Sequence, residues 1–506
     1  MAKKQKSKIA KLYCYGRNYE NVTASYSLLE YDRDKVLVDF GTHQTSDIFE
    51  QYRLNNENLR FSAKELQAVI ISHCHWGNVD HLGNIPKLIK LGYKGSFYVV
   101  QGSKPIIELM LLDALKISNS NIEYISKKNS KSKKDNKAEK KNESENTDKK
   151  IREIYNQDHV DKALDRIVEI PYNEKVKLTD NITFEFLSNN HIFLASQIMC
   201  YVENGNYKRK ICFSGDLGNT KVDNYLTQKL DKVKKVDYYI AECTYAGKEI
   251  RVDNEVRQKD IEKMCTIIRE TCIEKKGKVI CTTFAFYRSQ LLLMYLYQVY
   301  HKTEIPFKIV FDSPLGVKAT YAILEIMKEQ NHPDYQLLKD TLAWDKIMLI
   351  DDFKSTQRIL NDNHNSYVIL SPSGFLSGGN VINYLEYFLP KHNASLIFTG
   401  YSGDEYSLSS QIKSGKESVD IGGNKNVKNV AKAYDLKSFS SHMQYRQMLD
   451  YYSDINAKAI ILQHGDIKDK YKFAEVLTQE ISKKDKTTKV YVPMRGEWSY
   501  RINIKL

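Results

Sequence analysis

Histidine and aspartate side chains recur in four short motifs, each of which follows an apolar run. Imidazole and carboxylate groups offered from strand ends are the ligands that Zn²⁺ and similar borderline metals bind. Any single motif could arise by chance, but together they stand in the order that a two-metal hydrolase needs. They are His73-Cys74-His75 with Asp80-His81, then His191, then Ser214-Gly215-Asp216, and finally His464-Gly465-Asp466.

The motifs divide into two predicted metal sites that share one carboxylate. Two metals roughly 3.5–4 Å apart can hold a hydroxide as nucleophile and neutralise charge on a phosphoryl group under attack. Two Zn²⁺ ions are predicted, with Mn²⁺ as the alternative metal. The competing interpretations are ordinary loop histidines or a single structural metal. The first predicted site takes His73, His75, His191 and Asp216, and the second takes Asp80, His81 and His464, with Asp216 bridging the two.

Three further side chains are candidates to assist the metals. Asp39 could orient a ligand histidine through the other ring nitrogen, or it is simply a turn aspartate before Gly41. His442 is the candidate general acid for a leaving 3′ oxygen, and Glu242 could pair with it and fix its tautomer. Taken alone, these last two residues would more often be structural, and their assignment rests mostly on the resemblance given below.

A segment rich in serine and glycine follows a predicted strand at 367–370. Small residues in such a turn let backbone N–H groups approach a phosphate, although glycine-rich turns are common without one. Arg288 either contacts phosphate as well or caps a helix. The candidate substrate-binding residues of the segment are Ser371, Ser373, Gly374, Ser377 and Gly378.

The bulk composition supports a protein of more than one domain with a polyanionic partner. The chain has 506 residues, of which 42% are hydrophobic and 27% charged, and its formal net charge is +13. Basic side chains gain affinity for nucleic acid by releasing counterions, but a solvated basic surface would give the same count. The eight cysteines form no C-x-x-C pair, and neither a signal peptide nor a membrane-spanning run is evident. A cytoplasmic protein without membrane contact is therefore expected.

The predicted strands and helices follow different patterns before and after residue 242. Strands are predicted at 35–40, 68–72, 96–100 and 182–187, and a helix at 84–91. After residue 242, helical periodicity at 255–275, 288–301 and 315–329 alternates with strands at 278–284, 307–312, 367–371 and 394–399, which implies a largely parallel sheet. A helix at 444–453 and strands at 459–462 and 489–493 close the chain. Residues 124–150 are almost entirely polar, so a mobile loop is predicted there, either a spacer or an aid to RNA binding through its lysines.

The complete set of motifs resembles the β-CASP branch of the metallo-β-lactamase-fold nucleases. That group includes the endonuclease subunit of the mRNA cleavage and polyadenylation machinery, its archaeal and bacterial relatives, and ribonuclease J. The likeness covers nearly the whole chain. It is carried by Asp39, His73 to His81, His191, Asp216, Glu242 in Glu-Cys-Thr-Tyr245, Phe439-Ser-Ser-His442, Gln463-His464-Gly465, Asp312-Ser-Pro-Leu315 and Ser373 to Gly379.

The resemblance implies an α/β architecture and an RNA substrate. The fold would be a four-layer αβ/βα metallo-β-lactamase domain, formed by residues 1–243 and completed by 431–506, with a β-CASP cap inserted at 244–430. The active site would lie in the cleft between them and hydrolyse RNA to a 5′ phosphate and a 3′ hydroxyl. His464 favours RNA, because the DNA-acting branch usually carries valine there.

Two departures from the family pattern bear on activity. Four residues, 76–79, separate His75 from Asp80, where the family has one. The insertion either bulges outward and leaves the ligands in place, or it displaces His73 and His75. Gln444 stands where the family usually has an aspartate that orients neighbouring groups.

Three functions remain open at this stage. The first is a zinc-dependent ribonuclease acting as endonuclease, 5′ exonuclease or both, in RNA processing or decay. The second is a catalytically impaired RNA-binding relative, and a DNA-acting nuclease or a small-molecule hydrolase of the same fold is the third. RNA is the expected partner, with a second copy of the chain or an RNA-processing complex as further partners that the sequence leaves open.

Overall fold

The computed structural model describes most of the chain with several gaps. The described residues are 9–15, 23–24, 26–45, 47–74, 82–135, 152–205, 207–374, 376, 378–400, 407–422, 425–484, 486–493 and 500–505. The predictions made for His75, Asp80, His81 and Ser377 lie outside these residues. The same holds for the segment that separates His75 from Asp80.

Strands and helices alternate along most of the described chain. The strands are β1 (Ile9–Tyr15), β2 (Tyr26–Tyr31), β3 (Asp34–Val38), β4 (Ala68–Ile70), β5 (Ser96–Val100), β6 (Ile167–Ile170), β7 (Val176–Lys177), β8 (Ile182–Ser188), β9 (Ser196–Asn204), β10 (Tyr207–Phe213), β11 (Tyr238–Glu242), β12 (Lys278–Thr282), β13 (Phe307–Asp312), β14 (Ile347–Ile350), β15 (Ser366–Ser371), β16 (Ala394–Phe398), β17 (Ser418–Asp420), β18 (Asn426–Lys428), β19 (Lys432–Asp435), β20 (Ala459–Gln463), β21 (Lys489–Tyr491) and β22 (Tyr500–Lys505).

The helices lie mainly between the strands of the second half. They are α1 (Ile48–Asn55), α2 (Ile85–Lys90), α3 (Lys104–Asp135), α4 (Gln157–Leu164), α5 (Asn254–Ile268), α6 (Arg288–Tyr300), α7 (Pro314–Glu329), α8 (Tyr335–Ala343), α9 (Phe353–Asn361), α10 (Asn380–Phe388), α11 (Leu408–Lys413), α12 (Tyr445–Asp454) and α13 (Ile467–Lys483). A π-helical turn at Arg269–Glu274 continues α5, and 3₁₀ turns lie at Ala63–Glu65 and Lys437–Phe439.

Two seven-stranded sheets face each other through a shared apolar core. Their strand orders are β22-β1-β2-β3-β4-β5-β6 and β21-β20-β11-β10-β9-β8-β7. Ile70 of the first sheet and Phe186 of the second belong to one buried cluster. The rings of Tyr98 and Phe184 meet between the sheets with centroids 5.4 Å apart. Burial of such large apolar side chains is the main term that holds the two sheets together.

Helices cover the outer faces of this pair of sheets. Leu88 of α2 and Ile107 of α3 join the core cluster of the first sheet. Leu449 of α12 and Phe473 of α13 pack with Tyr239 on the far side of the second sheet. The order of layers is therefore helix, sheet, sheet, helix, which confirms the predicted four-layer αβ/βα arrangement.

A third sheet belongs to the segment after residue 242. Its order is β14-β13-β15-β12-β16-β19, and all neighbouring strands are parallel. Parallel neighbours need long crossover connections, which the intervening helices supply, so the predicted strand–helix alternation gives this sheet directly. Its last strand, β19, lies just beyond residue 430.

The C-terminal strands return to the first two sheets. β20 pairs with β11 and with β21 in the second sheet, and β22 pairs with β1 in the first. His464 follows β20. The pairing of β20 with β11 therefore places His464 beside residues that lie more than two hundred positions earlier in the chain. The third sheet is in this sense an insertion between parts of the first unit.

The prediction of a mobile loop at 124–150 is wrong for its first part. α3 extends to Asp135, so residues 124–135 are helical. Once a helix has nucleated, each added residue gains a hydrogen bond, and lysine, which supplies five of these residues, is an adequate helix former. Polar composition alone therefore did not separate an exposed helix from a loop. Residues 136–150 lie outside the described part.

None of the described helices combines sufficient length with sufficient apolar character to cross a bilayer.

Candidate metal centre

The predicted ligands that the structure describes stand where strands of both sheets end. β10, β11 and β20 are parallel neighbours, so their carboxyl ends meet at one edge of the second sheet. Asp216 follows β10, Glu242 ends β11 and His464 follows β20. His73 follows β4 in the opposite sheet, and all four side chains are buried.

Asp216 lies at the centre of three histidines. Its Oδ2 is 3.5 Å from His73 Nε2 and 3.7 Å from His191 Nε2. Its other oxygen, Oδ1, is 3.3 Å from His464 Nδ1. The two oxygens of one carboxylate thus face different histidines, as a carboxylate shared by two metals requires. The fold thus brings together four residues that lie far apart in the sequence.

The donor set fits a metal by its spacing and chemistry. One ligand atom each from His73, His191 and Asp216 all lie within 4.8 Å of one another. Ligand atoms held about 2.1 Å from a tetrahedral ion lie about 3.4 Å apart, which is close to the separations between Asp216 and the first two histidines. Two imidazoles and a carboxylate suit a borderline divalent ion. The cluster can therefore hold one.

Ser72 connects Asp39 to the first of these histidines. Asp39 accepts hydrogen bonds from Ser72 N at 2.7 Å and from Ser72 Oγ at 3.0 Å. Ser72 Oγ lies 2.9 Å from His73 Nδ1. Because an ionised carboxylate only accepts, Oγ donates to Asp39 and accepts from Nδ1–H, which leaves Nε2 as the basic nitrogen. The contact between Asp39 and His73 thus runs through Ser72, and the orienting role of Asp39 stays a prediction.

The backbone of His464 adopts a left-handed conformation with φ of 54°. Asp39 does the same with φ of 59°. Non-glycine residues rarely occupy this region, and they concentrate at functional sites, where the surroundings hold them. Around His464 the surroundings are Cys243 N, which donates to its carbonyl at 3.0 Å, and Thr244 Oγ1, which lies 3.1 Å from Nδ1.

The side chains of Glu242 and His442 lie close together beside the three histidines. Glu242 Oε1 lies 3.8 Å from His442 Nδ1. The same carboxylate accepts hydrogen bonds from Leu217 N at 3.2 Å and Thr244 N at 2.7 Å, so it is held on two sides. The ring of His442 lies 4.4 Å from that of His191 between centroids. His442 therefore stands immediately beside the cluster.

Gln444 stabilises the loop that carries His442. Its Nε2 donates to the carbonyl of His442 at 2.8 Å, and the side chain is buried. Met443 N donates to Leu217 O at 2.7 Å, directly after Asp216. Gln444 stands where the resembled family usually has an aspartate, and its side chain still hydrogen-bonds to the backbone of His442, although without a negative charge.

The candidate phosphate-binding residues of the cap lie at the carboxyl end of β15 and in the turn that follows it. Ser371 is buried and donates from Oγ to the carbonyl of Asp312 at 3.3 Å, so its hydroxyl forms a hydrogen bond within the cap sheet. Gly379, with φ of 78°, precedes the first turn of α10, and open space surrounds Gly378. Ser373 and Gly374 follow β15 at the carboxyl edge of the cap sheet, where an added Cβ on Gly374 would touch the Phe284 ring.

Arg288 is the first residue of α6 and is only 8% exposed. Its guanidinium carbon lies 4.6 Å from the centroid of the Phe284 ring, and a Cβ added at Gly400 would lie 2.7 Å from its Nη1. Its Nε has no hydrogen-bond partner among the described residues. Burial lowers the pKa of Arg288 to about 10, an effect that nearby Tyr245 and Tyr287 oppose. The guanidinium remains charged at neutral pH.

Sequence reasoning missed Ser72, Ser214 and Thr244. Ser214 Oγ accepts from Glu242 N at 3.0 Å and so ties the segment before Asp216 to the end of β11. A hydroxyl next to a recognised ligand is the only local signal of such a role, and serine and threonine are too common at strand ends for that signal to stand out.

Comparison with protein families matches three segments of the chain. The metallo-β-lactamase superfamily matches residues 20–119, and the Beta-Casp domain matches 289–412. A domain described as the Zn-dependent metallo-hydrolase RNA specificity domain matches 426–493. These are the parts that the resemblance in the sequence implies, in the same order.

Two curated relatives are similar over most of this chain. Ribonuclease TTHA0252 of Thermus thermophilus is 26% identical over 448 residues, which make up 88% of this chain and 91% of that protein. Transcription termination factor FttA of Methanosarcina mazei is 25% identical over 473 residues, 89% of this chain and 66% of that protein. The chain thus spans slightly less than two thirds of the termination factor.

A solved structure shares the fold. The crystal structure of a protein of unknown function from Enterococcus faecalis V583 superposes with a TM-score of 0.51 at 13% identity, covering 98% of this chain and 100% of that chain. At this identity the likeness concerns the fold alone.

Proposed function

We propose, from the premise that this chain belongs to the β-CASP branch of the metallo-β-lactamase superfamily, that it is a zinc-dependent ribonuclease. The observation that supports this proposal most is the position of the Asp216 carboxylate. Its Oδ2 faces His73 and His191, and its Oδ1 faces His464. The likeness to a bacterial ribonuclease over 91% of that protein's length and the match to an RNA specificity domain support RNA as the substrate. His464 favours RNA over DNA.

The metal ligands divide between the two sheets. His73, His75, His191 and Asp216 would hold one ion, and Asp80, His81, His464 and Asp216 the other. When bound, two divalent ions activate water at neutral pH and neutralise charge on the phosphoryl group under in-line attack. Zinc is proposed because imidazole dominates the donor set, with Mn²⁺ as the alternative. The protein's own part is to fix the tautomer of His73 and the rotamer of Asp216.

His442 is proposed to donate a proton to the leaving 3′ oxygen. Its ring stands beside His191 and its Nδ1 lies 3.8 Å from Glu242. Glu242 is itself held by backbone N–H groups, so it can fix the orientation of the imidazole. A positioned acid of this kind typically contributes about 10²–10⁴-fold in rate. The products would be a 5′ phosphate and a 3′ hydroxyl.

Three further assignments complete the proposal. The division into 1–243, 244–430 and 431–506 places the metal ligands in the outer segments and the serine- and glycine-rich loop with Arg288 in the cap, where they would bind phosphates. Cleavage is endonucleolytic, 5′ exonucleolytic or both. A cytoplasmic location is supported by eight free cysteines, seven of them buried.

A second candidate function is RNA binding with an impaired metal centre. It is favoured by the four residues that separate His75 from Asp80 and by Gln444. Displacement of His75 would leave the first ion with fewer ligands. Such a protein would bind RNA with little or no turnover.

The test counts metals and follows cleavage in the same preparations. Purified protein is analysed for zinc and incubated with 5′-labelled single-stranded RNA, alongside Asp216→Asn and the control Asp158→Asn, whose carboxylate is exposed and pairs with Lys162. We expect close to two zinc ions per chain and cleavage for the wild type and the control, and loss of both for Asp216→Asn. RNA binding without cleavage at full metal supply would select the second candidate. Cleavage of DNA or of a lactone in place of RNA would overturn both.

A further inference from the structure

A cavity lies behind the two loops that carry Asp216 and His442. Its volume is about 440 Å³, and its walls come from residues 220–221, from residues 230–234 and from Met443 and helix α12. We call it the loop cavity. None of the described residues that line it is a proposed metal ligand, and none belongs to the cap. The loop cavity is therefore a site separate from the metal centre.

A short extended segment separates the loop cavity from the metal centre. His442 forms an isolated β-bridge with Gly218. The next residue, Met443, donates from N to Leu217 O at 2.7 Å. Consecutive side chains of an extended segment point to opposite faces. Met443 is buried and lines the cavity, whereas the ring of His442 contacts that of His191. A ligand in the cavity would thus contact the segment from the face opposite the metals.

The buried part of the lining offers mainly apolar contact, because its polar side chains are already hydrogen-bonded. The Tyr451 hydroxyl accepts from Val233 N at 3.0 Å. The amide of Gln447 accepts from Thr220 N at 3.1 Å and donates to Asn219 Oδ1 at 2.8 Å. A ligand seated against these residues would be stabilised by burial of its own apolar surface.

The exposed part of the lining is basic. Its three lysines are Lys221, Lys232 and Lys234. None of the three forms an ion pair within the described part of the chain, whereas Asp454 of the lining pairs with Lys484 at 2.5 Å. The hydrogen bond from Lys484 lowers the pKa of Asp454, and the charges of Lys486 and Lys232 act in the same direction. Asp450 is the other acidic residue of the lining, so positive charge is in excess.

We propose that the loop cavity binds a small organic phosphate of the size of a mononucleotide. Cavities that hold small molecules measure about 300–1,000 Å³ and combine apolar walls with a few polar groups that fix the ligand. A phosphate monoester carries about two negative charges at pH 7, which the exposed lysines would attract. A base or a similar flat group would occupy the buried part.

Such a ligand would act on the loops that carry the reactive groups. It contacts residues of both loops in the arrangement that brings Asp216 and His442 to the metal centre. A ligand that binds one arrangement preferentially increases the population of that arrangement. The expected effect on RNA cleavage rests on the ribonuclease function proposed above, whereas the binding itself does not.

The first test measures binding by isothermal titration calorimetry with adenosine 5′-monophosphate (AMP), adenosine and inorganic phosphate as three separate probes. The cavity variant combines Lys221→Gln, Lys232→Gln and Lys234→Gln. The matched control combines Lys175→Gln, Lys208→Gln and Lys210→Gln, three lysines at 4.8 to 5.7 Å from the centroid of the Tyr201 ring. Both variants lose three positive charges, so their total charge is equal.

We expect AMP to bind the wild type and the control, and to bind the cavity variant about tenfold more weakly, because exposed charge pairs each contribute modestly. Adenosine and inorganic phosphate should each bind more weakly than AMP, since each supplies only one of the two parts that the cavity fits. Equal affinity of the two triple variants for AMP, or inorganic phosphate that binds as tightly as AMP, would overturn the proposal.

Two further variants locate the bound AMP. Leu230→Trp fills the cavity without a change in charge and should also weaken AMP binding about tenfold or more. Asp216→Asn should retain AMP binding, because the cavity is separate from the metals. Loss of AMP binding in D216N with full binding in the cavity variant would place AMP at the metal centre and overturn the proposal. The lysine variant changes exposed residues alone, so it decides the matter even if L230W folds poorly.

The effect on the loops is measured by amide hydrogen exchange and by RNA cleavage. Saturating AMP should slow exchange in residues 217–221 and 441–447 and raise kcat about fivefold in the wild type, with neither change in the cavity variant. Unchanged exchange with AMP bound would refute the action on the loops. If the protein binds AMP but cleaves no RNA, the ribonuclease function fails and the site stands. If it cleaves RNA but binds no AMP, the site alone is refuted.

Discussion

The metal centre and Arg288 of the cap are two buried charged sites with different surroundings. In the metal centre the reactive groups contact one another, as in the contacts from Asp39 through Ser72 to His73. Arg288 is also buried, and its Nε has no hydrogen-bond partner among the described residues. Strand ends thus fix the reactive groups of the metal centre, whereas the guanidinium of Arg288 packs against the Phe284 ring. The predictions below begin with the metal centre, proceed to a contact that supports it, and end with a segment that should not contribute to it.

The largest effect on the metal-centre side is expected from His442→Ala. Loss of the proton donor should lower kcat about 10²–10⁴-fold, because the leaving oxygen would depart as an alkoxide. Zinc content and RNA affinity should not change, since His442 is outside the proposed ligand set. Steady-state cleavage rates and metal analysis check both points. His392→Ala, an exposed histidine of the cap, is the control. Loss of zinc in H442A would mean that the residue is a ligand.

Ser72→Ala should have the next largest effect. The substitution removes the hydroxyl that accepts from His73 Nδ1, so the imidazole loses its fixed tautomer and orientation. Loss of such an outer contact typically costs about 10–100-fold in metal affinity or activity. Competition with a zinc chelator measures the affinity. If S72A and the wild type release zinc at the same chelator concentration, the relay does not control His73.

Arg257→Leu tests whether the loop before His442 is held from the cap. Arg257, on α5, donates to Ser438 O from Nε at 3.0 Å and from Nη1 to Tyr295 OH at 2.9 Å, and its guanidinium carbon lies 5.0 Å from the centroid of the Phe439 ring. Loss of hydrogen bonds made by a buried charged group should lower the free energy of unfolding by about 2–3 kcal/mol.

Chemical denaturation measures this change, and Arg251→Leu is the control. Arg251 is 70% exposed and pairs with Asp253 and Glu255 on the surface, so its loss should not be detectable. Equal stability of the two variants would show that α5 does not anchor the loop.

The smallest effect is expected from deletion of residues 136–150. The segment contains one alanine and otherwise only polar and charged residues, so it offers almost no apolar surface for a core. The melting temperature and zinc content should match those of the full chain. A clear drop in melting temperature would show that the segment packs on the folded part.

The strand ends that carry chemistry were the most predictable features. The strands predicted at 182–187 and 459–462 are β8 and β20, and they are followed by His191 and His464 of the site. Apolar runs of this length that end at a polar motif leave few alternatives, because buried strands need continuous apolar sequence. The closeness of Asp216 and His464 was predicted from the motif set and from its family resemblance.

Long-range pairing and supporting contacts were not predictable in the same way. No local signal indicates that β1 pairs with β22, because pairing between the two ends of a chain leaves no period in the sequence. No sequence signal marks Arg257 as a buried residue, yet it is buried with its guanidinium carbon 5.0 Å from the centroid of the Phe439 ring. The end of α3 was missed because polar composition describes an exposed helix as well as a loop.

The central claim is that one carboxylate serves two metals. Crystals of the zinc-loaded protein, measured on both sides of the zinc absorption edge, test it most directly. The account predicts two anomalous peaks, one beside Asp216 Oδ2, His73 and His191, the other beside Asp216 Oδ1 and His464. A single peak, or a second one with His464 turned away from it, would contradict the account.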